Sequence, residues 1–434
     1  MPQREFKNYL KFFIKQRVLG AMRDTLLCFR PQKVNTGGWG ERLLVINMNA
    51  LGDLALFTSV LKHYKQSFPG KKIYLLLRAD LGIGKKELGG FVDEVIAVDH
   101  RKFGRDPFYA ASFMSRLRKI GFYKVADQGP SASELIARII SVRLGAKEVY
   151  GYEGFGIQYQ IPIDRSMKDA IRFCQKNIFP RYTRLIPSID KNANLRPLLH
   201  NYIRHLIAIY EGAGGAPSDD YATELPVDPV ARERVEKLLL DNGISPGTYC
   251  ALTLGASSAT RRWPVERFAE AAEELKKSGI PIVLMGTAGE SGLAARFHEL
   301  YSGTMIDLTG KLSLSELIAL IDRSLFVFTN DTGPVHIAVA RKTPSLCIVG
   351  AANPGMLSLY GYRGMNRWVS GPDAPCFFDN WRCAVDPPGG LSPCIDGVTV
   401  AAVRGELVDL LVLIRDEKGK KRENLPAVFS IEFR

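Results

Sequence analysis

The chain has 434 residues, of which 46% are hydrophobic and 24% charged, as in a globular protein with sizeable cores; these values exclude a disordered chain. The formal net charge of +13 favours anionic partners such as phosphorylated ligands, anionic membrane surfaces or nucleic acid. An odd number of cysteines, seven, without a secretory leader predicts the reducing cytoplasm, and the lack of a long apolar run predicts no membrane span.

Residues 1–40 are interpreted as a basic amphipathic extension. Aromatic residues such as Phe6, Phe12 and Phe13 alternate there with basic residues such as Lys7 and Lys11. A helix of this composition suits a membrane interface, and the alternative is a helix packed on a neighbouring domain or a partner. Contact with a membrane or a partner is favoured because aromatic and basic residues are both dense in this segment.

The first α/β domain is predicted over residues 41–225. Leu43–Ile46 has the pattern of a buried strand, and Asp53–Gln66 has apolar residues at helical spacing. Strands and helices then alternate, which indicates parallel βαβ units. A basic insertion at about 153–200 interrupts this alternation. Gly212–Pro229, rich in Gly, Pro and Asp, is the predicted linker to the next domain.

The second α/β domain is predicted over residues 226–434, with a basic tail after a last helix at Val398–Ile414. Its central feature is an apolar strand, Leu325–Phe328, followed by a short polar turn and a helix that Pro334 opens. A strand that breaks sharply into a helix directs unpaired N–H groups and the positive end of the helix dipole at one point. That point is suited to phosphate.

Four turns after predicted strands have residues suited to a sugar nucleotide. Glycines allow a ligand to approach the backbone, hydroxyls and arginines suit a diphosphate, and a glutamate suits ribose hydroxyls. Each residue alone also has a structural explanation, such as a helix N-cap for an aspartate, but their combination favours a binding site. The turns are Asn49–Asp53, Gly255–Pro264, Met285–Glu290 and Asp331–His336.

Several other site classes lack their motifs. The chain has no P-loop sequence, no Gly-x-Gly-x-x-Gly after a strand and no Asp-x-Asp, which disfavours P-loop nucleotide hydrolysis, dinucleotide oxidoreduction and a paired-carboxylate metal site. Cys376, Cys383 and Cys394 are spaced unlike a zinc site and lack a fourth thiol, so reduced structural thiols are favoured.

Taken together, these motifs resemble the family 9 glycosyltransferases, the ADP-heptose:lipopolysaccharide heptosyltransferase family, from about Leu43 to about Ile414. The strongest part is Asn330–Ala340, followed by Val349-Gly350 and Asn353-Pro354. The segment from Leu254 to Pro264 is similar to a second family signature, and Leu51–Asp53 to a first. The resemblance implies an α/β protein of GT-B fold, with two Rossmann-like domains whose parallel sheets face an interdomain cleft.

The resemblance also implies an activity, namely inverting transfer of a sugar from a nucleotide-diphosphate sugar without a required metal or cofactor. The expected sugar is heptose, the expected donor ADP-heptose, and the expected acceptor an anionic glycolipid such as lipopolysaccharide core. The implied location is the cytoplasmic face of the inner membrane, as a peripheral protein, and no nucleic-acid partner is expected.

The site residues that the resemblance implies fall into three groups. Asp53 corresponds to the catalytic base, and Asn49 and Gly52 to acceptor contacts. The expected donor-binding residues are Gly255, Ser257, Arg261, Gly286, Glu290, Asp331, Thr332, Gly333 and His336. Arg261 stands where the family usually has a lysine, which keeps the charge and changes the geometry.

Two alternatives stay open at the level of the sequence. One is another GT-B enzyme, such as a sugar-nucleotide epimerase, which needs no acceptor. The other is a non-catalytic protein that binds a nucleotide sugar, although Asp53, Asp331 and His336 argue against it.

Overall fold

A computed structural model describes residues 41–128, 134–153, 179–187, 222–350, 364–371 and 391–419. The predicted extension 1–40, most of the basic insertion and the basic tail lie outside these residues, as do Asn353, Pro354, Cys376 and Cys383. The chain divides into two compact units, Met1–Asp219 and Asp220–Arg434. The predicted domain extents, 41–225 and 226–434, stay predictions.

The N-terminal unit has a six-stranded parallel sheet in the part of the chain that is described. Its strands pair in the order β3-β2-β1-β4-β5-β6. The central strand β1 is fully apolar and buried from Leu43 to Ile46, as expected of a strand covered on both faces. The strands are β1 Arg42–Ile46, β2 Lys72–Arg78, β3 Glu94–Val98, β4 Lys124–Asp127, β5 Glu148–Glu153 and β6 Arg184–Pro187.

Helices connect these strands, and the first differs from its prediction. The predicted helix 53–66 begins two residues earlier and is divided into α1 and α2. The hydroxyls of Thr58 and Ser59 donate to the carbonyls of Ala55 and Leu56, and such local bonds weaken the end of a helix. The helices are α1 Leu51–Leu61, α2 Tyr64–Ser67, α3 His100–Arg105, α4 Pro107–Ile120 and α5 Glu134–Arg143.

The C-terminal unit repeats the arrangement with strands in the order β12-β11-β10-β7-β8-β9, all parallel. The strands are β7 Cys250–Thr253, β8 Ile282–Leu284, β9 Met305–Asp307, β10 Phe326–Asn330, β11 Ser345–Val349 and β12 Asn366–Ser370. The helices are α6 Pro229–Asp241, α7 Val265–Lys277, α8 Ser291–Leu300, α9 Leu314–Asp322, α10 Gly333–Arg341, α11 Pro393–Asp396 and α12 Val400–Gly419.

Both sheets have the strand order of a Rossmann fold, so the predicted Rossmann-like units are confirmed. In each sheet the chain order reverses beside the first strand, between β1 and β4 and between β7 and β10. Ligands of such sheets bind outside the carboxyl ends of the strands at this reversal. The register pairs Ile46 with Asp127 in one unit and Thr253 with Thr329 in the other, which fixes the residues that lie at each edge.

An aromatic core supports the edge of the second sheet. Trp263 is buried, lies edge-on to Phe268, and donates its indole N–H to the Val398 carbonyl at 3.0 Å. A capping box opens α9, because Ser313 and Glu316 exchange side-chain to backbone hydrogen bonds there. Among the residues described, no helix has the length and apolarity needed to cross a bilayer.

Two glycines of the C-terminal unit allow the stability cost of backbone strain to be distinguished from the cost of steric overlap. Gly310 and Gly279 both have left-handed backbone, with φ of +72° and +67°. A Cβ at Gly310 would lie 2.9 Å from the Ala288 Cα, whereas a Cβ at Gly279 has open space. We expect Gly279→Ala to cost about 1 kcal/mol of unfolding free energy, and Gly310→Ala roughly 2–4 kcal/mol.

Urea denaturation of both variants measures these costs. Equal losses in the two variants would mean that the approach of Gly310 to Ala288 carries no steric constraint.

Candidate functional site

The residues predicted to bind a donor lie at the carboxyl edge of the C-terminal sheet. Gly255 and Gly286 come two residues after β7 and β8, and Asp331 directly follows β10. Because β7 lies between β8 and β10, these three strand ends are adjacent. The structure therefore brings three of the four predicted turns together at the reversal of strand order, where Rossmann sheets bind ligands.

Glu290 lies against two of the predicted glycines. Its Oε2 accepts hydrogen bonds from the Thr287 backbone N at 2.6 Å and the Thr287 hydroxyl at 2.9 Å. A Cβ at Gly255 would overlap the Glu290 carboxylate, and a Cβ at Gly286 would lie 2.9 Å from Oε2. Glycine at both positions is therefore what admits the carboxylate to the edge of the sheet.

Arg261 joins the second turn to the fourth. It ends a short 3₁₀ turn, Ala259–Arg261, and its guanidinium donates to the Ser257 hydroxyl and, at 3.4 Å, to the Asp331 carbonyl. The Arg261 guanidinium thus bonds to both turns, through Ser257 in one and Asp331 in the other. A cation is placed directly beside the residues that open α10.

The start of α10 has features of an anion site. Thr332 occupies the N-cap position, but its hydroxyl makes no capping bond to the helix and donates instead to the Asn330 carbonyl at 3.3 Å. Gly333 and Pro334 form the first turn, where proline costs no intrahelical bond. The N–H groups and dipole of α10 and the guanidinium of Arg261 favour negative charge at the same place.

His336 lies in the second turn of α10 and is buried. Its Nε2 is 3.8 Å from Asp331 Oδ1, which by itself favours the charged imidazolium. Burial and the charge of Arg261 outweigh this attraction and lower the pKa of His336 to about 4. At neutral pH His336 is therefore a neutral hydrogen-bonding group, and the cation beside the start of α10 is Arg261.

The N-terminal unit places the other predicted residues at the corresponding edge. Asp53 is the third residue of α1 and Gly52 the second, whereas Asn49 is buried in the turn after β1. The Asn49 backbone N donates to Asn47 Oδ1 at 3.1 Å, which folds the turn back on itself. The N-cap of α1 is Ala50. Asp53 therefore does not have the purely structural role of a helix N-cap.

Two buried amides at these edges were not recognised from the sequence. Gln128 follows β4, where its amide donates to the Tyr64 hydroxyl at 2.5 Å and accepts from the Tyr152 hydroxyl at 3.0 Å. Asn330 ends β10 and is fully buried. A polar residue at the end of a buried strand, or directly after it, was the available signal. The sequence did not show its bonding partners, which are distant along the chain.

A charged cluster at the edge of the N-terminal sheet was also missed. Arg78 ends β2 and pairs with Asp80, whose Oδ1 is 3.8 Å from His100 Nδ1 at the start of α3. Burial and the charge of Arg78 lower the pKa of His100. Arg101 and Lys102 follow in the same helix, so basic residues are concentrated at the ends of β2 and β3.

Comparison with known proteins supports the predicted family resemblance. The profile of glycosyltransferase family 9 (heptosyltransferase) matches residues 189–382. The chain is similar to this family over these residues, which are less than half of its length. The predicted resemblance is therefore confirmed.

The curated relatives that this chain matches are heptosyltransferases. It is 31% identical over 98 residues to lipooligosaccharide heptosyltransferase 2 of Haemophilus influenzae, a match that covers 22% of this chain and 28% of the relative. It is 24% identical over 197 residues to lipopolysaccharide heptosyltransferase 1 of Pseudomonas aeruginosa, covering 44% and 55%. The chain thus spans between about a quarter and about half of the length of these relatives.

Solved structures agree on the fold. A family 9 glycosyltransferase of Veillonella parvula has a TM-score of 0.67 at 18% identity, covering 86% of this chain and 98% of the other. The ADP-heptose lipopolysaccharide heptosyltransferase II of Escherichia coli has a TM-score of 0.59 at 17% identity, covering 86% and 99%. With the two Rossmann-like units, these similarities confirm the predicted GT-B fold class. The assignments of individual site residues stay predictions.

The lowered pKa of His336 predicts how stability depends on pH. Since the folded protein binds this proton only near pH 4 and the unfolded chain near pH 6.5, acidification between these values favours unfolding. The loss amounts to about 3 kcal/mol for the full shift. His336→Gln removes this term, so the stability difference between wild type and variant should shrink by that amount from pH 6.5 to 4.

Urea unfolding at a series of pH values measures this difference. Parallel curves for wild type and the His336 variant would contradict the burial of a neutral imidazole.

Proposed function

We propose that this protein is an inverting, metal-independent glycosyltransferase that moves a heptose from ADP-heptose to an anionic glycolipid such as lipopolysaccharide core. The observation that supports it best is the edge of the C-terminal sheet. There Arg261, the start of α10 and the carboxylate of Glu290 converge at the reversal of strand order. One cation, one helix N-terminus and one carboxylate match the diphosphate and ribose of a nucleotide sugar.

The donor would be held by complementary groups at this edge. The first turn of α10, Arg261 and Ser257 would bind the diphosphate through N–H groups, a guanidinium and a hydroxyl. Glu290 would accept hydrogen bonds from ribose hydroxyls. Thr287 fixes the position of its carboxylate, and Gly255 and Gly286 leave space for that carboxylate at the edge of the sheet.

Asp53 would be the general base on the acceptor side. It takes the proton from an acceptor hydroxyl, whose oxygen then forms a bond to the anomeric carbon of the donor. The bond from that carbon to the diphosphate oxygen breaks, and the nucleoside diphosphate leaves with the bonding electrons. Arg261 and the dipole of α10 would offset the negative charge that grows on the leaving group, while neutral His336 donates a hydrogen bond.

The position of Asp53 bears on its role as a base. As the third residue of α1, it lies at the amino end of that helix, where the helix dipole favours negative charge. Desolvation by a bound acceptor would disfavour the charged carboxylate and so strengthen it as a base. The proposal therefore predicts efficient proton transfer only with the acceptor bound.

Replacement of Asp53 separates the chemical step from donor binding. We expect Asp53→Asn to reduce transfer by about three orders of magnitude or more, because the amide cannot accept the proton. The dissociation constant of ADP should change by less than about twofold. Transfer is followed with a lipopolysaccharide-core acceptor in the presence of EDTA, and binding by calorimetry.

Two controls complete this experiment. Asp99→Asn changes an aspartate that caps α3 in the same unit and should retain transfer. ADP-heptose incubated without acceptor should stay unchanged, whereas an epimerase would convert it. Normal turnover by the Asp53 variant would remove its assigned role, and turnover lost in EDTA would contradict metal independence.

We further propose that the acceptor is met at the cytoplasmic face of the inner membrane. The net charge of +13, the basic and aromatic residues of 1–40 and the basic residues that begin α3 support an anionic surface as partner. Each basic residue near such a surface adds about 1 kcal/mol of attraction.

Flotation with vesicles tests the membrane proposal on the full chain. Wild type should float with vesicles that contain anionic lipid and not with neutral vesicles. Replacing Phe6, Phe12 and Phe13 together by serine should reduce the bound fraction severalfold while preserving ADP affinity. Equal flotation of this variant and wild type would remove residues 1–40 from the binding surface.

A further inference from the structure

Asn330 has a bonding pattern that its place in the sequence did not reveal. It is the last residue of β10, directly before Asp331, and its side chain is fully buried. The residues predicted to bind the donor begin after it. Its own amide points away from that segment, toward two parts of the chain about 70 residues earlier.

The amide bonds to the neighbouring strand end and to the loop beyond it. Nδ2 donates to the Leu254 carbonyl at 2.8 Å and to the Gly255 carbonyl at 3.3 Å. Oδ1 accepts from the Trp263 backbone N at 3.0 Å. The amide nitrogen and the carbonyl oxygen of the side chain are therefore both used. With the amide rotated by half a turn, its nitrogen would face the Trp263 N–H and its oxygen would face the Leu254 and Gly255 carbonyls.

These bonds fix both ends of one loop. Leu254 and Gly255 precede the segment that holds Ser257 and Arg261, and Trp263 ends it. The Trp263 ring is itself anchored through its bond to Val398. The Asn330 carbonyl accepts from the hydroxyls of Thr329, at 2.8 Å, and Thr332, at 3.3 Å, which fixes the backbone leading into α10.

We propose that Asn330 is a positioning residue for the donor site. Its amide sets the loop of Arg261 against the start of α10, so that the guanidinium and the helix N–H groups converge on one diphosphate. Asn330 touches no donor atom and acts through Arg261 and Gly255. This inference rests on the proposed donor class. It adds the side chain that aligns the two parts of the donor site, which are the loop of Arg261 and the start of α10.

Asparagine is the residue that meets these requirements. Aspartate has the same shape but, when ionised, has no hydrogen to donate and turns negative charge toward two carbonyls. Protonation restores one donor. Alanine removes all three bonds and leaves buried backbone groups unpaired. A variant with aspartate should therefore lose donor affinity at high pH and regain part of it on acidification.

The test measures by calorimetry how tightly the Asn330→Asp variant binds ADP from pH 8 to pH 5.5. The affinity of the variant is divided by that of wild type at each pH. This ratio removes the contributions of ADP itself and of His336. We expect affinity about tenfold or more below wild type at pH 8, and a loss at least threefold smaller at pH 5.5.

Asn366 offers a matched control in the same unit. Its amide donates to the Thr343 carbonyl at 3.1 Å and the Ser345 hydroxyl at 2.9 Å, at the start of β12 and so at the opposite end of the strands. Asn366→Asp removes the same kind of bond away from the site and should leave ADP affinity within about twofold. An equal loss in both variants would overturn the positioning role.

A double-mutant cycle shows whether Asn330 acts through Arg261. If it does, Asn330→Asp combined with Arg261→Met should bind ADP no more than about twofold more weakly than Arg261→Met alone. Fully multiplicative losses would overturn the inference. If Asn330→Asp does not fold, Asn330→Ser, which keeps a hydroxyl donor, enters the same cycle with the same two outcomes.

The proposed function and this inference fail in different ways. Wild type that binds no nucleoside diphosphate would overturn the proposed donor class. Wild type that binds ADP, with a folded Asn330→Asp variant of equal affinity at pH 8, would overturn the inference alone.

Discussion

The parallel pairing of β7 with β10 is the constraint on which the candidate donor site depends. Their register sets Thr253 opposite Thr329, so the loops that follow the two strands start side by side although they are about 75 residues apart in the chain. Parallel strands direct all their carboxyl ends to one edge, and the reversal of strand order leaves space there for a ligand. Asn330 then fastens the two loops with buried hydrogen bonds, which are strong because water cannot compete for them.

Charge at this edge is divided among groups of different kinds. Burial keeps His336 neutral, so the cation is Arg261, which is held by the Ser257 hydroxyl and the Asp331 carbonyl. The dipole of α10 adds a partial positive charge that needs no ionisable group. A diphosphate would meet donors that are already oriented, and preorganised donors of this kind stabilise developing charge without reorganisation during the reaction.

Local patterns in the sequence predicted much of this organisation. The apolar run before Asn330 and the proline at 334 located β10 and α10, because strand burial and helix initiation are decided by neighbouring residues. Contacts between distant segments were not predictable in this way. The close approach of Glu290 to Gly255 and the bonds of Asn330 depend on which strands are adjacent. The division of the predicted helix 53–66 depends on hydroxyl bonds that its apolar spacing does not show.

Hydrogen–deuterium exchange of the full chain with and without ADP tests the central claim most directly. If the edge of the C-terminal sheet binds the nucleoside diphosphate, ADP should slow amide exchange in the segments 255–261, 287–290 and 332–336. Exchange in the α1 segment 51–61 should change little. Protection confined to the N-terminal unit, or no protection at saturating ADP, would contradict the account.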